Sequence, residues 1–147
     1  MNITNLCSPS AQVAVEMLHQ MVSQDLPEGP VKVNGPLAIY GAGDLGKMAK
    51  TYLERLGIEV SFVVDRNAKH LQDQEFWNGT RLLSPEDVTP LEKQSHLLAV
   101  CVVTVQYGSL VEELRHKGWL RPVPFYDISE AYREQHPLSN GWFSKRL

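Results

Sequence analysis

Short unbroken apolar runs alternate along this chain with apolar residues spaced by three and four, and each change of period marks a new element. Leu37-Ala38-Ile39-Tyr40 is a four-residue run that predicts a core strand. Beyond it, Leu45, Met48, Ala49, Tyr52, Leu53 and Leu56 fall on one helical face, and Gly57 is placed to end that helix. Residues 58–64 predict a second strand with Asp65 at its C-terminal end. Residues 66–79 read as polar and irregular around Phe76 and Trp77, and 80–83 as a short third strand. Ser84-Pro85-Glu86-Asp87 has the order of a helix start: cap, proline, then acids in the first turn. Residues 96–104 are almost all apolar or β-branched, as in a parallel strand buried on both faces. Leu110, Val111 and Leu114 predict the next helix, ended by Gly118. Residues 123–126 predict a fifth strand and 129–135 a last helix, before an aromatic, irregular tail at 136–143.

Upstream, Ser8-Pro9 predicts a helix start, and Pro27 its end. Ala14, Met17, Leu18, Met21 and Val22 share one face of that helix, which either packs on its own domain or forms a dimer contact. Residues 25–36 hold Pro27, Gly29, Pro30, Gly35 and Pro36 and read as a linker. The expected organisation is an N-terminal helix and linker (1–36), an α/β domain (37–128), and a C-terminal helix and tail (129–147). Strands alternating with helices imply an α/β fold of three layers, a parallel sheet of about five strands with right-handed crossovers.

Between the first strand and its helix lies Gly41-Ala42-Gly43-Asp44-Leu45-Gly46. Gly-x-Gly-x-x-Gly at a strand-to-helix junction supplies a tight turn, a close backbone approach to phosphate, and close packing of helix on strand. The amides of the turn and the positive end of the helix dipole then face an anion. Asp65 follows Gly46 by 19 residues, near the spacing of a ribose-binding carboxylate. The candidate binding set is therefore Gly41, Ala42, Gly43, Asp44, Leu45, Gly46, Asp65, Arg66 and Thr104. Asp44 complements the helix dipole but repels a bound phosphate, and Lys47 one turn on is placed to offset it or to face solvent. Arg66, and Lys69 near the same rim, suit a ribose 2′-phosphate, whereas Asp65 suits a free 2′-hydroxyl. Thr104, Gln106 and Tyr107 follow the fourth strand on the ligand-binding edge of such sheets, or belong to a polar loop turned by Gly108.

Charge and composition narrow the partners. A net charge of −3 offers no basic excess for nucleic acid. The apolar runs are too short for a membrane span, and 1–5 lacks the pattern of a secretory signal, which leaves the cytoplasm as the expected location. Cys7 and Cys101 are too few for a disulfide framework, and Cys101 reads as a small buried hydrophobe. His19, His70, His96, His116 and His136 are dispersed, so neither a metal site nor a catalytic acid–base pair is expected. Trp77, Trp119 and Trp142 read as core or interface anchors.

Residues 39–129 resemble the Rossmann-like domain that precedes the catalytic part of FkbM-type methyltransferases. The likeness lies in Ile-Tyr-Gly-Ala-Gly-Asp-Leu-Gly (39–46), Phe-Val-Val-Asp-Arg-Asn (62–67), Gly-Thr-Arg-Leu-Leu-Ser-Pro-Glu (79–86) and Pro-Phe-Tyr-Asp (124–127). The Val-Val-Asp-Arg-Asn and Leu-Ser-Pro-Glu segments are also similar to the C-terminal Rossmann-like domain of sugar C-methyltransferases, and the span more loosely resembles the N-terminal nucleotide-sugar-binding domain of PglD-type sugar acetyltransferases. The resemblance implies a module that holds a nucleotide or nucleotide-sugar, with Gly41, Gly43 and Gly46 around the phosphates and Asp65 at the ribose. No acidic Gly-x-Gly-x-Gly loop for S-adenosylmethionine is present; Tyr40 precedes the glycines instead, so methyl transfer is expected from a separate domain or partner. Two other readings stay open. One is a small NAD(P)-dependent oxidoreductase, or its cofactor-binding half. The other is a ligand-free interaction or dimerisation domain that uses Met17, Met21, Trp142 and Phe143.

Overall fold

The computed structural model describes residues 10–23, 30–103 and 107–132, with the side chains of residues 17, 20–23 and 107 outside that description. Five strands, β1 (Leu37–Tyr40), β2 (Val60–Val64), β3 (Leu82–Leu83), β4 (Leu97–Val100) and β5 (Arg121–Pro124), form one parallel sheet in the order β3-β2-β1-β4-β5. The chain thus builds outward from β1 in one direction, then crosses back and builds outward in the other. That order, with helices on both faces, is the Rossmann-like arrangement.

The period of two along each strand decides the layers. Leu37 and Ile39 of β1 and Ala99 of β4 enter one core with Ala49 and Leu53 of α2 (Asp44–Arg55) and with Phe125 and Ile128 of α6 (Phe125–Glu130). Ala38, Phe62, Val64, Leu98 and Val100 point the opposite way, against Leu114 of α5 (Tyr107–His116) and Trp119. All four residues of β4 are buried, as its unbroken apolar run requires. Trp77 and Trp119 are core residues, and Trp142 lies outside the described residues.

Several boundaries differ from the sequence pattern, each for a local reason. β2 starts at Val60, because Gly57 takes a positive φ of 74° and Ile58 packs on the core before the strand begins. The stretch read as irregular at 66–79 holds a short helix, α3 (Ala68–Leu71), and a single turn at Glu75–Trp77 that buries Trp77. The third strand is only Leu82–Leu83. Ser84 starts a single turn, Pro85–Asp87, rather than a helix; its side chain makes no cap bond. The helix there is α4 (Pro90–Ser95), begun by a capping box in which Thr89 accepts from the Glu92 amide and Glu92 accepts from the Thr89 amide. β4 ends at Val100, short of 104, and Gly108 lies in the first turn of α5 rather than in a loop. β5 is displaced to Arg121–Pro124. It is an edge strand, where Pro122 and Pro124 leave no donors for further pairing. Phe125 then opens α6, four residues before the helix expected at 129, and 133–135 lie outside the described residues.

At the N-terminus, α1 (Ala11–Ser23) leaves Val13, Val15 and Leu18 exposed, so Leu18 does not pack on the domain. Met17, Met21 and Val22 lie outside the described side chains. The part of the linker at 30–36 is a strap on the core: Val31 and Val33 pack against it, the Val31 amide donates to the Asp127 carbonyl (2.8 Å), and the Val33 amide donates to the Tyr132 hydroxyl (3.2 Å). No helix among the described residues is long and apolar enough to cross a membrane.

The capping box carries a pH signature. A 2.5 Å bond from Arg81, together with the Thr89 amide and hydroxyl, pulls the Glu92 carboxyl from 4.5 down to about 2. A lowered native pKa adds stability that is complete above pH 4.5 and is lost as the pH falls toward 2. The urea midpoint of the wild type is therefore expected to fall more steeply across that window than that of Glu92→Gln. The difference is at most about 1 kcal/mol, because the pair is solvated. Parallel curves would remove the box from the stability of the domain.

Candidate functional site

The sheet order reverses between β1 and β4, and a crevice opens there at the C-terminal ends of the strands. The ladder sets its floor. The Gly41 amide donates to the Val64 carbonyl (2.8 Å), the Cys101 amide to the Tyr40 carbonyl (2.8 Å), and the Asp65 amide to the Leu83 carbonyl (3.0 Å). These bonds hold the residues that follow β1, β2 and β4 side by side. The cavity measures about 530 Å³, within the size range of small-molecule sites.

The three glycines meet three different demands. Gly41 has φ 105°, and a Cβ there would stand 2.7 Å from the Cys101 carbonyl oxygen. A Cβ on Gly46 would stand 1.9 Å from the Gly41 carbonyl oxygen, so α2 can pack this close to the turn only with glycine. Gly43 is ordinary extended backbone, and a Cβ there would meet nothing within 4 Å. Of Gly41 and Gly43, which both line the cavity, Gly43 is the one where the turn itself imposes no steric limit. Gly43 is also the N-cap of α2, so no side chain covers the first amides of that helix.

Gly41, Gly43, Asp44 and Leu45 line the cavity from the turn, and Asp65 and Arg66 from the end of β2. Ala42 and Gly46 are buried beneath the turn and do not line it. Asp65 is committed to backbone on both sides: Oδ2 accepts from the Ala42 amide and Oδ1 from the Asn67 amide, each at 2.8 Å. Lys47 does not line the crevice; its ammonium sits 5.7 Å from the centre of the Phe76 ring. Lys69 lies on α3, also off the cavity wall. Thr104 and Gln106 lie outside the described residues, as does the side chain of Tyr107.

The opposite wall was not singled out in the sequence. Ser109, Glu113 and Lys117 recur every fourth residue along α5 and just beyond its end, and all three face the cavity with Leu110. That spacing is a readable signal of a shared face, but only the crossover of the chain after β3 brings the face to β1. Lys117 donates to Glu113, which raises the lysine pKa and lowers that of the glutamate. Tyr40, Asn67, Val102 and Val103 complete the mouth, and Val103 is 68% exposed there. Three acids (Asp44, Asp65, Glu113) and two cations (Arg66, Lys117) thus surround the cavity. The lining therefore carries no excess of positive charge. The Cys101 thiol is pushed upward by burial and is held as a neutral group. Among the described residues, no group of three His, Cys, Asp or Glu side chains is placed to hold a metal ion.

Compared with protein-family models, curated proteins and solved structures, the chain has no significant match.

Proposed function

We propose that this chain is a nucleotide-binding module of the cytoplasm. It seats the phosphates of a nucleotide over Gly43, Asp44 and Leu45 and leaves the chemistry to a partner domain or protein. One observation carries the reading: the side-chain direction of Gly43 is empty and faces a cavity at the point where the strand order reverses. The other two glycines are explained by packing alone, whereas the turn does not require a glycine at 43. A ligand phosphate supplies that requirement. A nucleotide-sugar is the ligand class the sequence resemblance implies, with its sugar directed toward the polar wall of α5.

Arg66 at the cavity mouth favours a second reading, a nicotinamide cofactor carrying a 2′-phosphate. Calorimetric titration with UDP- and GDP-sugars, NAD(H), NADP(H) and S-adenosylmethionine separates these. Saturable heat with a nucleotide-sugar is expected. Saturation with NADP(H) alone would favour the cofactor reading, and flat traces with folded protein would end both.

A further inference from the structure

We infer that Asp65 is a positioning residue that braces the glycine turn, so that its loss weakens ribo- and 2′-deoxyribonucleotides by the same factor; the second part rests on the nucleotide reading above. The carboxylate is spanned between two backbone segments. Oδ2 takes the Ala42 amide of the turn and Oδ1 takes the Asn67 amide of the segment leading into α3. The backbone of Asp65 is fixed as well, since its amide donates to Leu83 and its carbonyl accepts from Ala68. A carboxylate that swung away to meet a ribose hydroxyl would give up its bond to the Ala42 amide. The favoured state keeps the carboxylate on the turn whether or not a sugar stands beside it.

The brace has a consequence for the amides that face the ligand. Ala42 precedes Gly43, the N-cap of α2, so the bond to Asp65 fixes the entry to the helix from which the Asp44 and Leu45 amides project. An asparagine at 65 keeps one acceptor oxygen and turns an amide NH2 toward one of the two N–H groups. Asp65→Asn therefore releases either the turn or the segment leading into α3.

The test uses the intact, isotope-labelled chain. The scalar coupling across the hydrogen bond between the Ala42 amide nitrogen and the Asp65 carboxyl carbon is expected in the free protein and is expected to persist with ADP or UDP added. Calorimetry with ADP, 2′-deoxy-ADP, UDP and 2′-deoxy-UDP is expected to give, in each ribose–deoxyribose pair, an affinity ratio that Asp65→Asn leaves unchanged within about twofold. Asp65→Asn is expected to weaken both members of a pair by one shared factor, about tenfold for a charge-assisted bond. A deoxy penalty of about tenfold or more that vanishes in Asp65→Asn would show Asp65 reading the sugar and overturn the proposal. Loss of the coupling on adding nucleotide overturns it too. If no probe binds the wild type, the nucleotide reading fails, and the coupling in the free chain decides the brace alone: its presence retains the brace and its absence removes it. Should Asp65→Asn fail to fold, the wild-type coupling, followed with and without nucleotide, still decides.

Discussion

Gly46→Ala is expected to destabilise the domain by about 3 kcal/mol or more, the upper end of overpacking costs. Alanine inside a helix normally stabilises by about 1 kcal/mol relative to glycine, and Gly46 lies in the first turn of α2. Here packing overrides propensity, because the new Cβ would lie 1.9 Å from the Gly41 carbonyl oxygen. That oxygen belongs to backbone held on one side by the Gly41 amide bond to Val64, so it cannot swing aside as a flexible side chain would. Relief requires α2 to lift from the sheet, which pulls Ala49 and Leu53 out of the core. A urea-unfolding midpoint well below that of the wild type is the expected measurement. A midpoint above it would mean that helix and turn are not in close contact.

Gly43→Val is expected to have the opposite signature: a folded protein that no longer binds. Gly43 has φ −74° and ψ −165°, which any residue adopts, and its side-chain direction is empty to 4 Å. Stability is expected to fall by no more than about 1 kcal/mol, the cost of a valine at a helix N-cap. On the proposed nucleotide reading, the valine methyls occupy the space through which a phosphate would reach the Asp44 and Leu45 amides. Nucleotide affinity is expected to fall about a hundredfold or more, the equivalent of about 2.7 kcal/mol. Calorimetry on the ligand that binds the wild type checks this. Retained affinity would place the phosphates elsewhere, and the glycine turn would then be a packing device only. The two variants together separate the glycine required by packing from the one that packing does not require within a single motif.

The apolar pattern located β1, α2 and the core of β4 to within a few residues because each lies in a run whose period has one interpretation. It failed at 84–95, where two cap-proline pairs, Ser84-Pro85 and Thr89-Pro90, stand five residues apart. Both have the local order of a helix start. Only the second has a glutamate placed to close a capping box, and Val88 between them turns into the core rather than along a helix. It failed again at 121–130, where Val123 and Phe125 suggested one strand; Pro124 instead ends the strand and is the N-cap of α6. At the site, the glycine turn and Asp65 were legible because spacing along the chain encodes them. The wall formed by Glu113 and Lys117 was not, since the crossover that carries α5 to β1 leaves no mark in local sequence.

By itself, the sequence determined which residues lie in strands buried on both faces, that strands alternate with helices, and that a glycine turn joins the first strand to its helix. Periodicity, turn chemistry and motif spacing act over a few residues, so they can be read locally. The tertiary structure alone decided which glycine leaves its side-chain direction open beside the cavity, that the Asp65 carboxylate is bound to the Ala42 amide, and that α5 forms the opposite wall. Those facts depend on contacts between segments 20 to 80 residues apart, and such contacts are fixed by the order in which strands pair in the sheet rather than by any stretch of chain.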